Sequence, residues 1–286
     1  LYLETGKKAG IKTIIHIREH WPLNEHTLQL KLAQNIVDTY ADRIVAINEY
    51  SALMFEKSKY KTTIVYDWID LKERMGSDEE FEPYQNVIGS ESKFLLFTGG
   101  FDSMKGSYEV LKAYSDNVKA SDIKLVVLGG RNLIIRNNWK NNIKKVIEKM
   151  GYFYYEKQLK SIIDKDARII CFPSTYKIGM FVKHSIGFVS FFTTAHANLA
   201  LAENIILGNA CLAAETEESK EYSQNGNYAL LTPYRDVTLF RKNLQTFVDN
   251  YDYYASISSK GSPETSQKFD KTINSERLFE VLKGLF

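Results

Sequence analysis

The chain has 286 residues, 44% of them hydrophobic and 25% charged, with a formal net charge of +2. That length favours two domains, and the composition fills a sizeable globular core. A balance this close to neutral supplies no strong field for nucleic acid, and no run of about eighteen apolar residues encodes a membrane span. The two cysteines, Cys171 and Cys211, sit in apolar runs without CxxC or His spacing, so they read as buried thiols in a reducing compartment rather than metal ligands.

Strands and helices alternate along the chain. The pattern predicts strand Thr13–Ile17, helix Glu25–Tyr40, strand Arg43–Ile47, helix Glu49–Phe55 and strand Thr62–Tyr66. Leu71–Ser92 is acidic and lacks clear periodicity, which reads as a linker. A second series follows: strand Phe94–Thr98, helix Ser107–Val118, strand Ile123–Leu128, helix Trp139–Met150, helix Glu156–Ile163, strand Arg168–Phe172 and strand Ile186–Phe192. Ala197–Leu207 is a run of helix formers, with Gly208 placed for a left-handed cap, and Ala210–Ala214 is a short apolar strand. Helices over Val237–Tyr254 and Ser275–Leu285 close the chain. Strands alternating with helices in this way argue for parallel sheets wound by right-handed crossovers, an α/β protein with two Rossmann-like domains. The basic stretch Trp139–Lys160 interleaves its lysines with Ile143, Val146, Ile147 and Met150, which favours a solvated amphipathic face over a membrane or nucleic-acid surface.

Two stretches carry chemistry. In Phe94–Gly106, an apolar strand runs into Gly99-Gly100 and a loop that ends in Lys105-Gly106 at a helix head. Backbone N–H groups and an ammonium could converge there on phosphate. The spacing fails the P-loop pattern, and GxGxxG is absent, which leaves a dinucleotide-dependent oxidoreductase without its fingerprint. In the second stretch, strand Ile186–Phe192 breaks into Thr193, Thr194 and His196 before the Ala197 helix. The amides at that helix start suit an anion such as a diphosphate. Glu203, about two turns along, is placed for hydroxyl contacts. A solvated helix acid is its alternative reading, but its apolar neighbours favour a buried carboxylate that needs a partner. Lys105 reads either as a phosphate ligand or as a surface lysine at a turn, and His196 as a cap, a substrate contact or filler. His16, Arg18 and Glu19 cluster after the first strand, with His16 and Arg18 on one face, as acceptor-side candidates.

These features resemble the carboxyl-terminal half of a family 4 GT-B glycosyltransferase. The post-strand loop matches the family's G-R-L-x-x-x-K-G at Gly99, Lys105 and Gly106, and the helix matches its E-x7-E region at Glu203, Gly208 and Ala213. Ala41–Ser51 and Ile64–Asp70 are similar to its A-D-x-I-x-A-x-S-E-Y-S segment and V-I-Y-N-G-I-D hinge entry. Ala195 stands where the family has the first glutamate of the helix motif, and Gly100 where it has the arginine of the loop. Arg131 is a candidate for the missing charge.

The resemblance implies a GT-B fold whose domains face a cleft. Residues 1–70 would form an acceptor-side domain lacking its amino-terminal part, 71–92 a linker, 93–265 the nucleotide-sugar domain, and 266–286 a helix bracing the first domain. It implies a retaining hexosyltransferase, working without a metal or other cofactor on a nucleoside-diphosphate sugar in polysaccharide or glycoconjugate synthesis. The donor contacts would be Gly99, Gly100, Lys105, His196, Ala197, Asn198, Leu199 and Glu203. The acceptor would be a sugar, a lipid-linked sugar or another hydroxyl compound, and the expected location is cytoplasmic, with room for peripheral contact at the inner membrane face. Loss of Arg and Glu at 100 and 195 gives the alternative of a degenerate module that binds nucleotide or a partner without transfer.

Overall fold

The computed structural model describes residues 2–18, 28–120, 122–129, 154–194 and 196–286. They form two compact units, one of Leu1–Asp70, Ala195–Leu199 and Glu264–Phe286, the other of Leu71–Thr194 and Ala200–Pro263.

The first unit is built on a parallel three-stranded sheet in the order β1 (Ile14–Ile17), β2 (Arg43–Ala46), β3 (Thr62–Ile64). Alternation along β2 sends successive side chains to opposite faces. Ile44 packs with Leu30 and Val37 of helix α2 (Leu28–Tyr40) and with Phe55, beyond α3 (Glu49–Leu53), whereas Val45 packs with Val65 and Val281. A short helix α1 (Tyr2–Lys8), not anticipated from the sequence, precedes the sheet. Lys61 is buried; its ammonium donates to the carbonyls of Asp38 (2.6 Å) and Ala41 (2.8 Å) at the end of α2, carbonyls that the helix itself leaves unpaired.

Residues 71–92 are not a structureless connection. They hold α4 (Leu71–Arg74) and α5 (Asp78–Ile88), and they belong to the second unit. Ser77 and Glu80 close a reciprocal capping box at the start of α5. Phe81 and Ile88 then bury against the sheet.

The second unit carries six parallel strands in the order β6 (Ile169–Phe172), β5 (Ile123–Leu128), β4 (Lys93–Phe97), β7 (Gly187–Val189), β8 (Cys211–Glu215), β9 (Leu230–Pro233). Both faces are covered, as the continuous apolar strands require. Leu95 and Phe97 face α6 (Ser107–Asn117) and α11 (Val237–Asp249), and Phe94 and Leu96 face α5 and α8 (Ile178–His184). On the other half, Phe188, Cys211 and Ala213 pack with Leu201 and Ile205 of α9 (Leu199–Ile206). The described part of helix α7 spans 154–163, and Leu159 and Ile162 join the α6 side. Helix α10 (Glu217–Tyr222) follows β8. Gly208 has φ +71, and Asn209 N–H reaches the Asn204 carbonyl at 2.9 Å, the left-handed ending expected for α9.

Two further helices depart from the periodicity reading. The strand expected over Ile186–Phe192 is shorter and is preceded by the unforeseen α8. After α11 the chain continues as α12 (Tyr251–Lys268) rather than ending near Tyr254. The final helix, α13 (Lys271–Lys283), lies in the first unit, where Asn274 accepts a hydrogen bond from Tyr66 N–H at 2.9 Å. The predicted helix Trp139–Met150, and with it Arg131, lies outside the described residues. Among the described residues no helix is long and apolar enough to cross a membrane.

Candidate functional site

The strand order of the second unit reverses between β4 and β7. The chain winds outward through β5 and β6 from one and through β8 and β9 from the other. Loops leaving the carboxyl ends of two such strands diverge, opening the crevice where open α/β sheets place ligands. The two stretches singled out from the sequence leave these two strands: Gly99–Gly106 follows β4, and Ser190–Thr194 follows β7.

The two loops are joined through their backbones. Thr193 N–H donates to the Met104 carbonyl at 3.0 Å, and the Thr193 hydroxyl donates to the Ser103 carbonyl at 2.8 Å. The loop itself is folded by the Asp102 carboxylate accepting from Met104 N–H (2.9 Å) and by the Ser107 hydroxyl donating to the Asp102 carbonyl (2.8 Å). Two glycines permit the arrangement. Gly106 has φ +70 and a Cβ there would fall 1.7 Å from the Phe191 carbonyl oxygen; Gly100 has φ +58 and a Cβ would fall 2.5 Å from the Gly129 carbonyl oxygen. The absence of an arginine at Gly100 is therefore built into the backbone. Beyond β9, Tyr234 donates its hydroxyl to the Thr193 carbonyl at 2.7 Å. Arg235 adds a second bond to that carbonyl from Nε at 3.3 Å.

Gly99, Gly100 and Lys105 occupy the β4 loop. Lys105 is half-buried and, among the described residues, pairs with no acid. Glu203 sits on α9 in the same unit, 3% exposed. The partner that its burial requires is Arg74 of α4, whose Nη1 donates to Oε1 of Glu203. Burial pushes the Glu203 carboxyl up to about 7, with the Arg74 charge and hydrogen bond opposing the rise. Among the described residues Glu203 Oε2 accepts no hydrogen bond. Arg74 was missed from the sequence because it fell in the segment read as linker. The one signal that pointed toward it was the need of a buried acid for a cation.

His196, Ala197, Asn198 and Leu199 form the run from β7 into α9, and they group with the first unit. Asn198 is buried and His196 exposed. Ala195 lies outside the described residues. In the first unit, His16 is on β1 and Arg18 just past it; Arg18 pairs with Asp67 at 2.8 Å. Glu19 lies outside the described residues. Among the described residues no three His, Cys, Asp or Glu side chains gather to hold a metal ion.

The comparisons agree with this architecture. Residues 78–262 match the glycosyl transferases group 1 family. No curated protein matches the chain in sequence. Among solved structures, Anabaena HepE in complex with UDP-glucose is similar at 15% identity and TM-score 0.77, over 99% of this chain and 75% of that one. Sucrose-phosphate synthase from Thermosynechococcus elongatus is similar at 13% identity and TM-score 0.69, over 99% and 71%. An α,α-trehalose 6-phosphate synthase from Burkholderia multivorans is similar at 10% identity and TM-score 0.73, over 99% and 69%. At such identities these likenesses establish the fold.

Proposed function

The chain belongs to the glycosyl transferases group 1 family, with a GT-B type fold, and from that premise we propose that it transfers a hexosyl group from a nucleoside-diphosphate sugar to a hydroxyl acceptor with retention of configuration. The observation that carries this reading is the pairing of the Lys105 loop with the β7 loop at the sheet's reversal, followed on the same chain path by the buried Glu203. The Anabaena neighbour, crystallised with UDP-glucose, supports a uridine nucleotide as the first donor to test.

In this reading the bond between the sugar's anomeric carbon and the diphosphate oxygen breaks, its electron pair staying on the diphosphate. The acceptor oxygen bonds to the anomeric carbon on the same face, and the acceptor's proton passes to the departing phosphate oxygen. Lys105, with the α9 N–H groups of its own unit from Ala200 on, meets the charge that grows on the leaving group, without a metal. Glu203, through Oε2, accepts from the nucleotide's ribose hydroxyls. A role in cell-surface polysaccharide or glycoconjugate synthesis is the biological setting we assign to this activity.

The steric closure of Gly100 supports a second reading, a module that binds nucleotide without transfer, since one cation of the phosphate loop has no place there. Thermal shifts with UDP, GDP, ADP and NAD decide the ligand class: a true ligand at a hundred times its Kd stabilises by about 2.7 kcal/mol. Slow hydrolysis of UDP-glucose then supports the transferase, and saturable UDP binding without any turnover supports the module. A shift with NAD alone overturns both.

A further inference from the structure

We propose that Arg74 is a positioning residue for nucleotide binding, one that fixes the orientation and charge of the Glu203 carboxylate so that its second oxygen is presented to the ribose; this rests on the donor reading above. The two residues are 129 positions apart in the chain, yet Nη1 of Arg74 donates to Oε1 of Glu203. The arginine has a second contact besides the acid. Its guanidinium lies 5.2 Å from the centre of the Tyr176 ring, a cation–π distance, and the residue ends α4, which packs on α8.

Charged groups at and on α8 are spent on α5. Lys177 pairs with Glu80, and Lys183 and His184 both meet Asp78. Helix α9 carries no other charged residue. Burial among Leu201, Ile205 and their neighbours pushes a carboxylate toward its protonated form unless a cation opposes the rise, and a protonated carboxyl both loses charge and is free to turn. Arg74 is the group that opposes it, so the ribose contact at neutral pH depends on a residue with no nucleotide contact of its own. An arginine does this better than a lysine. Its planar fork holds one carboxylate oxygen while stacked on a ring, which an ammonium cannot do.

The test is UDP affinity by titration calorimetry from pH 5.5 to 8.5, with inorganic pyrophosphate as a second probe that lacks ribose. In wild type, UDP affinity rises through a midpoint near neutrality. Arg74→Met moves that midpoint up and lowers UDP affinity at pH 7 about fivefold, the consequence of one pH unit of displaced ionisation from a midpoint near 7. Arg74→Lys recovers part of it, and Glu203→Gln binds UDP weakly with no such midpoint. Pyrophosphate affinity stays unchanged in all three, which a merely structural defect would not allow. If Arg74→Met is poorly folded, Tyr176→Leu serves instead, with a smaller rise in midpoint. An unchanged UDP midpoint in folded Arg74→Met, or an equal loss for UDP and pyrophosphate, overturns the assignment while leaving the donor reading intact. A wild type that binds no UDP, GDP or ADP overturns the donor reading, and this inference with it.

Discussion

The Gly129 carbonyl oxygen occupies the space into which any side chain at Gly100 would grow, 2.5 Å from an ideal Cβ. The two glycines come from adjacent parallel strands, at the carboxyl ends of β4 and β5, and both have positive φ. Gly100→Ala is expected to cost about 2–4 kcal/mol, the left-handed strain and the overpacking acting together. Gly100→Arg, designed to restore a second phosphate cation, loses at least as much. Urea midpoints of both variants check this; a Gly100→Arg protein as stable as wild type contradicts the steric account.

Lys105 carries the opposite expectation. It is half-buried, unpaired among the described residues and outside the apolar core, so Lys105→Gln leaves the urea midpoint within about 0.5 kcal/mol of wild type. Nucleotide affinity falls instead. A lost charge-assisted hydrogen bond of about 1.5–3 kcal/mol weakens UDP binding by one to two orders of magnitude. The wild-type affinity also drops with added salt more steeply than the variant's. Equal UDP affinity in the two proteins removes Lys105 from the site.

Glu203 gives stability a pH signature with a definite sign. Its folded value of about 7 lies above the ordinary 4.5, so between those values the folded chain holds a proton that the unfolded chain has released. Stability from this group is full below about pH 4.5 and is lost as pH rises toward 7, by about 3 kcal/mol in all. Glu203→Gln carries no proton and flattens that slope. Chemical unfolding of both proteins at pH 5, 6, 7 and 8 isolates the effect as a difference. A wild-type curve parallel to the variant's refutes the buried, proton-sensitive carboxyl.

What the sequence made legible was the apolar rhythm of the buried strands and the polarity of the loops that end them. Ile123–Leu128, apolar at both faces apart from Lys124, matches its expected range residue for residue. The β4 and β7 loops were found for the same reason, since small and polar residues interrupt long apolar runs. Elements whose inward face is not apolar stayed hidden. Helix α5 opens with three acids and contains Pro83, so the spacing of Phe81, Tyr84 and Ile88 was masked by its surroundings. Arg74 stayed hidden with it, because no local pattern links a residue beside that segment to an acid 129 positions later. Helix α12 turns Ser258 and Gly261 inward where a periodicity reading looks for Leu or Val.

Helix α12 also supplies a case in which two physical effects compete. The Ser258 hydroxyl donates to the Tyr228 carbonyl at 2.7 Å and the Ser262 hydroxyl to the Ile206 carbonyl, so small polar residues replace apolar knobs and let the backbone approach. Between them, a Cβ on Gly261 would lie 2.2 Å from the Tyr228 ring. Alanine in a helix interior is favoured over glycine by about 1 kcal/mol, which alone would make Gly261→Ala stabilising. Overpacking against that ring costs about 1–3 kcal/mol, and the contact is too short to relax without moving Tyr228. Packing therefore wins, and Gly261→Ala lowers the Tm. Tyr228→Ala combined with Gly261→Ala relieves the clash, so the double variant is more stable than the sum of the single losses requires. Thermal unfolding of the three proteins reads out that coupling, and strict additivity would show that the helix does not rest on the Tyr228 ring.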